Sequence, residues 1–237
     1  NFGLTLALAA LAAPLLIRMR LLSPMLVTLV VATLAVILFG LDGVISQLEG
    51  IVLLLAFVAM LVFMLARSSR ESAEVRESVA AYADTRSVLW LNVLRFVVAV
   101  ALLYFGAKFV VSSAPVIGAS WGLSPLLVGL LPVAIGTALP EVAAAIAAAR
   151  RGQGDMVAGH VIGSSLFNLL VVVGGMAALR PLPLPASFVR LELPAAIVFA
   201  LMLYPMLRGD LRISKGEGGV LFIAFLGWVV LELALLM

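Results

Sequence analysis

Pro132-Val133-Ala134-Ile135-Gly136-Thr137-Ala138-Leu139-Pro140-Glu141 lies inside an otherwise apolar run, and its reading decides the kind of fold this chain adopts. Gly136 and Pro140 weaken a helical ladder, and Pro140 removes one amide donor, so backbone carbonyls there are free to turn toward another partner. The run is long enough to cross a bilayer, and Glu141 is the only carboxylate the pattern places near mid-membrane. An ionisable group there costs roughly 2.5–3.5 kcal/mol on insertion scales and marks function by default. Thr137, four residues earlier, shares the helix face of Glu141. A carboxylate, a hydroxyl and loosened carbonyls point to a cation.

The rest of the chain supports a membrane reading. Of 237 residues, 65% are hydrophobic and 11% charged, with a mean hydropathy of +1.27, whereas soluble domains carry about 25% charged residues. Several apolar runs reach the ~17–25 residues that a spanning helix needs. The absence of cysteine excludes disulfides, thiol catalysis and thiolate metal sites, and the single His160 excludes a multi-histidine zinc or copper centre. The net charge of +3 comes without a basic stripe interleaved with aromatics, which argues against nucleic acid.

Eight apolar segments are expected, at about 1–17, 24–41, 50–66, 88–114, 124–149, 156–179, 192–207 and 217–237. The loops then alternate sides. The set 18–23, 67–87, 150–155 and 208–216 holds eleven Lys and Arg, against Arg180 and Arg190 in the other set, which places the first set in the cytoplasm and Met237 on the outer side. Segment 67–87 reads as a polar cytoplasmic linker between 1–66 and 88–237.

Two stretches repeat. Asp42, Ile45, Ser46, Glu49 and Gly50 return as Asp210, Ile213, Ser214, Glu217 and Gly218, so both read D-x-x-I-S-x-x-E-G at an offset of 168; at 167, Asn1 meets Asn168 and Pro14 meets Pro181. Five spans separate equivalent points. An odd number turns one repeat upside-down relative to the other, an arrangement common in transporters. The later repeat has some 80 residues ahead of Asn168 that the earlier one lacks ahead of Asn1, so an N-terminal segment of the same protein is expected to be missing.

A second polar stretch runs from Gly159 to Asn168. Ser164 and Asn168, four apart, project from one face, and the short turn at 150–155 can bring them to Glu141. Gly159, Gly163, Ser165 and the Ala-rich run 143–149 read instead as small residues that permit close helix packing. Calcium takes 6–8 oxygens. Glu141, Thr137, the Ala134 carbonyl, Ser164, Asn168 and Asn1 offer enough, but with a single carboxylate the charge is incomplete, and the repeat predicts a second glutamate in the missing segment.

At Gly136-Thr137-Ala138-Leu139-Pro140-Glu141 and Gly163-Ser164-Ser165-Leu166-Phe167-Asn168 the sequence resembles the sodium/calcium exchanger family of cation/calcium antiporters, particularly its compact prokaryotic members, whose repeats carry G-T-S-x-P-E and G-S-N-x-x-N/D motifs. The resemblance covers the whole chain. It implies an all-α polytopic membrane protein with inverted repeats of five transmembrane helices each, ten in the full protein, of which about eight are present here. It also implies a secondary antiporter that exchanges Ca2+ for Na+ or H+ by alternating access, with no bound cofactor. Thr137, Glu141, Ser164 and Asn168 would be cation ligands, with the Ala134 carbonyl and Asn1. Ala138 and Ser165 depart from the motif serine and asparagine, and His160 stands where the family usually has asparagine. These departures leave the coupling ion open, and a transport-inactive scaffold that retains the fold is the rival reading.

Three further expectations follow. His160 lies five residues from Asp155, ~7 Å along a helix and hence near the cytoplasmic end, and reads as a packing or interfacial residue or, as the one side chain tunable near neutral pH, as a pH sensor. Arg95 and Lys108 read as snorkelling side chains. Trp90 and Trp121 read as interface anchors in an inner-membrane protein.

Overall fold

The computed structural model describes residues 1–18, 22–68, 77, 80, 89–208 and 211–236. Almost all of segment 67–87, and Asp210 of the second repeat signature, lie outside them. The described chain is helical. A π-helical turn Phe2–Leu6 leads into α1 (Ala7–Ala12), and two-residue strand β1 (Leu15–Leu16) precedes α2 (Leu22–Phe39). After β2 (Val44–Ile45) come α3 (Gln47–Ser68) and α4 (Leu89–Ser120). Next, α5 (Pro125–Val128) joins α6 (Ala134–Arg150) through a π turn at Gly129–Val133. In the same way α7 (Gly154–Phe167) joins α8 (Gly174–Leu179) through a π turn at Asn168–Val173. Finally β3 (Leu182–Pro183), a π turn at Phe188–Glu192, α9 (Leu193–Arg208), β4 (Arg212–Ile213) and α10 (Lys215–Leu236) complete the order.

Among the described residues, six helical stretches are long and apolar enough to cross a membrane: Leu22–Asp42, Gln47–Arg67, Leu89–Ser120, Gly154–Leu179, Phe188–Met206 and Lys215–Leu235. The expected first span is shorter, because the chain leaves the helix after Ala12 and extends at Ala13 before Pro14. The expected 88–114 span runs on to Ser120, with Pro115 inside it. It ends at Gly122, whose left-handed φ of 74° lets Leu123 N–H reach Gly118 O at 2.9 Å. Two further acids in the apolar segments are withdrawn from the surface: Glu232 in α10 is fully buried, and both carboxylate oxygens of Glu192 are buried too.

The chain divides into two compact units, one of Asn1–Ser72 with Glu141–Leu226, the other of Ala73–Pro140 with Gly227–Met237. In the first, α2 packs against α7 and α9, and α3 against α8 and the π turn before it. Leu6, Leu26, Leu53, Ile162, Leu166 and Leu203 are fully buried among them, while Val31, Leu38, Leu55 and Leu65 stay exposed, as a lipid-facing surface requires.

Equivalent positions of the two sequence repeats make equivalent bonds within this unit. β1 pairs with β4 through Leu15↔Ile213, and β3 pairs with β2 through Ile45↔Leu182, so each repeat's first strand meets the other's second. Ile17 N–H donates to Leu211 O at 2.7 Å, and Leu184 N–H to Gly43 O at 2.8 Å. The repeated S-x-x-E is a capping box at the start of α3 and α10. Ser46 N–H and hydroxyl donate to Glu49 at 2.7 and 2.8 Å, and Ser214 does the same to Glu217 at 2.7 and 2.8 Å. The glycine that follows permits close approach. A Cβ on Gly50 would collide with Ala178 N and lie 2.7 Å from Gly174 O. One on Gly218 would lie 2.8 Å from Ala10 Cβ and 3.1 Å from Ala7 O, the corresponding helix of the other repeat.

In the second unit, Ser124 caps α5 by accepting from Leu127 N–H at 3.3 Å, with Pro125 at the first helical position. Trp90 and Trp121 stand exposed near opposite ends of α4, and Arg95 and Lys108 are exposed on it.

Candidate cation site

The turn between α6 and α7 sets the geometry of Glu141 and His160. Gly152 adopts φ 75°, and its N–H and that of Gln153 bond to Ala149 O at 2.9 Å and Ala148 O at 3.1 Å. This closed C-cap folds α7 back along α6. His160 Nε2 then lies 3.6 Å from Glu141 Oε2, with the two side chains 50% and 37% exposed. The sequence reading made His160 a packing or interfacial residue; the structure sets it against the central carboxylate, a partner on another helix that spacing along α7 could not disclose.

His160, Ser164 and Asn168 follow one another at four-residue steps and so share one face of a helix whose π turn begins at Asn168. Asn1 reaches that face from the other repeat: its Nδ2 donates to Ser164 Oγ at 2.9 Å and to Ser165 Oγ at 3.3 Å. Ser165 therefore does more than allow close packing. Both serine hydroxyls donate to Val161 O, at 3.3 and 2.8 Å, which leaves oxygen lone pairs outward. Asn1, Glu141, His160, Ser164 and Asn168 belong to the first unit.

Thr137 and Ala134 belong to the second unit, on the opening turns of α6. The Thr137 hydroxyl donates to Val133 O and Ala134 O, both at 3.0 Å, so the Ala134 carbonyl is engaged by the side chain with which it was expected to share a cation. Thr137 and Gly136 line a cleft of about 580 Å³ with Phe109, Ser113, Trp121 and Pro132. Among the described residues, no three His, Cys, Asp or Glu side chains cluster as a metal site.

The fold and the polar face of α7 define an all-α, multi-pass membrane protein in which Glu141 and several neutral oxygens meet among apolar helices. Residues 91–234 match the family described as sodium/calcium exchanger protein. The chain belongs to that family. It is 32% identical over 205 residues to the putative antiporter CaxA of Alkalimonas amylolytica, covering 84% of this chain and 64% of that protein. It is 32% identical over 203 residues to inner membrane protein YrbG of Escherichia coli, covering 80% and 60%. Against an uncharacterized membrane protein of Methanocaldococcus jannaschii it is 30% identical over 224 residues, covering 94% and 70%. The chain thus spans less than two thirds of the length of the first two relatives. Among solved structures, it is similar to the sodium-calcium exchanger NCX_Mj soaked with Na+ and Ca2+, with a TM-score of 0.69 and 25% identity over 100% of this chain and 73% of that one.

Proposed function

We propose that the protein is a secondary active antiporter of the inner membrane that exchanges Ca2+ for Na+ or H+ by alternating access. The observation that carries this reading is the meeting of Asn1 with Ser164 on the face of α7 that also sets His160 against Glu141. Polar groups of both repeats thereby converge on one face of α7 within this unit. Glu141 supplies the charge, and Ser164, Asn168 and Asn1 supply neutral oxygens, Asn1 through the Oδ1 left free when its Nδ2 takes the serines. By helical register Thr137 and the Ala134 carbonyl add donors one and two turns before Glu141. The transported ions are substrates, and no cofactor is required.

Family membership and the relatives' printed names support transport, and Pro140 with the π turns flanking α6 and α7 supplies the irregular backbone from which such sites are built. The arginine-rich loops set 67–87 in the cytoplasm and the C-terminus outside.

Reconstitution tests the proposal. Proteoliposomes holding the full-length protein should accumulate radioactive Ca2+ under an outward Na+ gradient or a pH gradient, and Glu141→Gln should abolish the uptake while the purified protein stays monodisperse. Absence of Ca2+ movement under either gradient refutes the proposal and favours a transport-inactive scaffold. Flux that needs no counter-ion gradient means a channel.

A further inference from the structure

We infer that the site admits a first-row divalent cation of the Zn2+ or Co2+ class, with His160 Nε2 and a Glu141 carboxylate oxygen as two of its ligands. The inference rests on the cation-transport reading and names a substrate class within it. The separation of the two atoms is its starting point. A charge-assisted N–H···O bond closes to about 2.7–2.9 Å, yet His160 Nε2 and Glu141 Oε2 stand 3.6 Å apart. The pair is thus an ion-pair contact wider than a hydrogen bond, with room for a metal ion between the two atoms. An ion about 2.1 Å from both atoms would subtend roughly 120° between them, close to the angle of a four-coordinate site.

The donor types agree with the distance. Imidazole nitrogen suits zinc, iron, nickel and copper, whereas calcium and magnesium are held by oxygen. Calcium asks for 6–8 oxygens and is best served by several carboxylates; this face shows one carboxylate and one imidazole, both reachable at 37% and 50% side-chain exposure. A four-coordinate cation needs only two more ligands. Ser164, one turn from His160 on the same face, and water can supply them. His160 is the chain's only histidine, and there is no cysteine, so no other imidazole and no thiolate in these 237 residues competes for such an ion.

The test compares wild type with His160→Asn and His160→Gln in the full-length protein. Zn2+ should inhibit Ca2+ uptake into proteoliposomes at concentrations on the order of 10–100-fold lower for wild type than for either variant, the loss that even an outer partner of a metal ligand costs. Inhibition of each variant is read relative to its own Ca2+ uptake without Zn2+, so the comparison does not depend on unchanged transport. Co2+ titrated into the purified wild type should develop visible absorption bands that His160→Asn and Glu141→Gln both lose. Equal Zn2+ sensitivity across wild type and variants, or no Co2+ spectrum in the wild type, overturns this inference while Ca2+ exchange stands. If neither Ca2+ flux nor a Co2+ spectrum is found, the antiporter reading falls with it.

Discussion

The repeated corners around Ser46–Gly50 and Ser214–Gly218 and the polar face of α7 both set glutamate inside a membrane protein, for opposite ends. Glu49 and Glu217 each bond the backbone and hydroxyl of the serine three residues earlier, with the same pair of distances in both copies. Glu141 instead faces an imidazole at a distance that no hydrogen bond explains. A carboxylate spent on its own helix end stabilises a corner. One whose neighbour lies on another helix, beyond hydrogen-bond reach, is available to a ligand. The residues that make the repeat most conspicuous are therefore structural, whereas the proposed cation site lies apart from them.

The contrast can be broken most forcefully at the glycines. Gly50→Ala pushes a methyl group into the backbone of α8, and we expect a loss of about 3 kcal/mol, at the upper end of overpacking costs, seen as a fall in the unfolding midpoint in detergent. Gly218→Ala meets the Ala10 side chain first and backbone only at 3.1 Å, so its midpoint should fall less. Equal effects in the two copies would mean that the close approach of α3 to α8 is not what Gly50 serves.

A smaller effect separates the glutamates. Glu217→Ala and Glu49→Ala should each cost about 1 kcal/mol of stability, the value of a lost cap, and leave the Ca2+ concentration for half-maximal uptake unchanged. Glu141→Gln should instead abolish uptake and leave the unfolding midpoint nearly unchanged. A change in that concentration on removing either capping glutamate would erase the distinction.

The smallest effect sharpens the repeat itself. Gly43 has φ 87°, and its counterpart Leu211 has φ 55°, the one non-glycine residue with positive φ among the described residues. A left-handed conformation costs an L-residue roughly 1–2 kcal/mol, and glycine gives back about 0.5–1 kcal/mol through its looser unfolded chain. Leu211→Gly should thus raise stability by about 0.5–1 kcal/mol, read as a small rise in the unfolding midpoint; a fall would show that Leu211 contributes packing worth more than its strain.

Much of this was legible in the residues. Hydropathy located the six long helices, because apolar length is a local property that neighbours do not alter. The offset between the signatures matched Ile45 with Ile213, and the structure gives both equivalent strand pairings, although no strand was expected. The function of the signature was also readable: S-x-x-E ahead of an apolar run is a capping box, although its repetition drew attention away from it. The buried acids Glu192 and Glu232 were missed, since burial near the end of an apolar run depends on which helices lie beside it.

Spans, corners and family motifs were thus determined by the sequence alone, because each rests on residues within a turn or two of one another or on the sheer length of an apolar run. The pairing of His160 with Glu141, and of Asn1 with Ser164 and Ser165, was decided only by tertiary structure. Those contacts join residues 19 and more than 160 positions apart, and a helix's register specifies which face a side chain occupies but not which other helix comes to meet it.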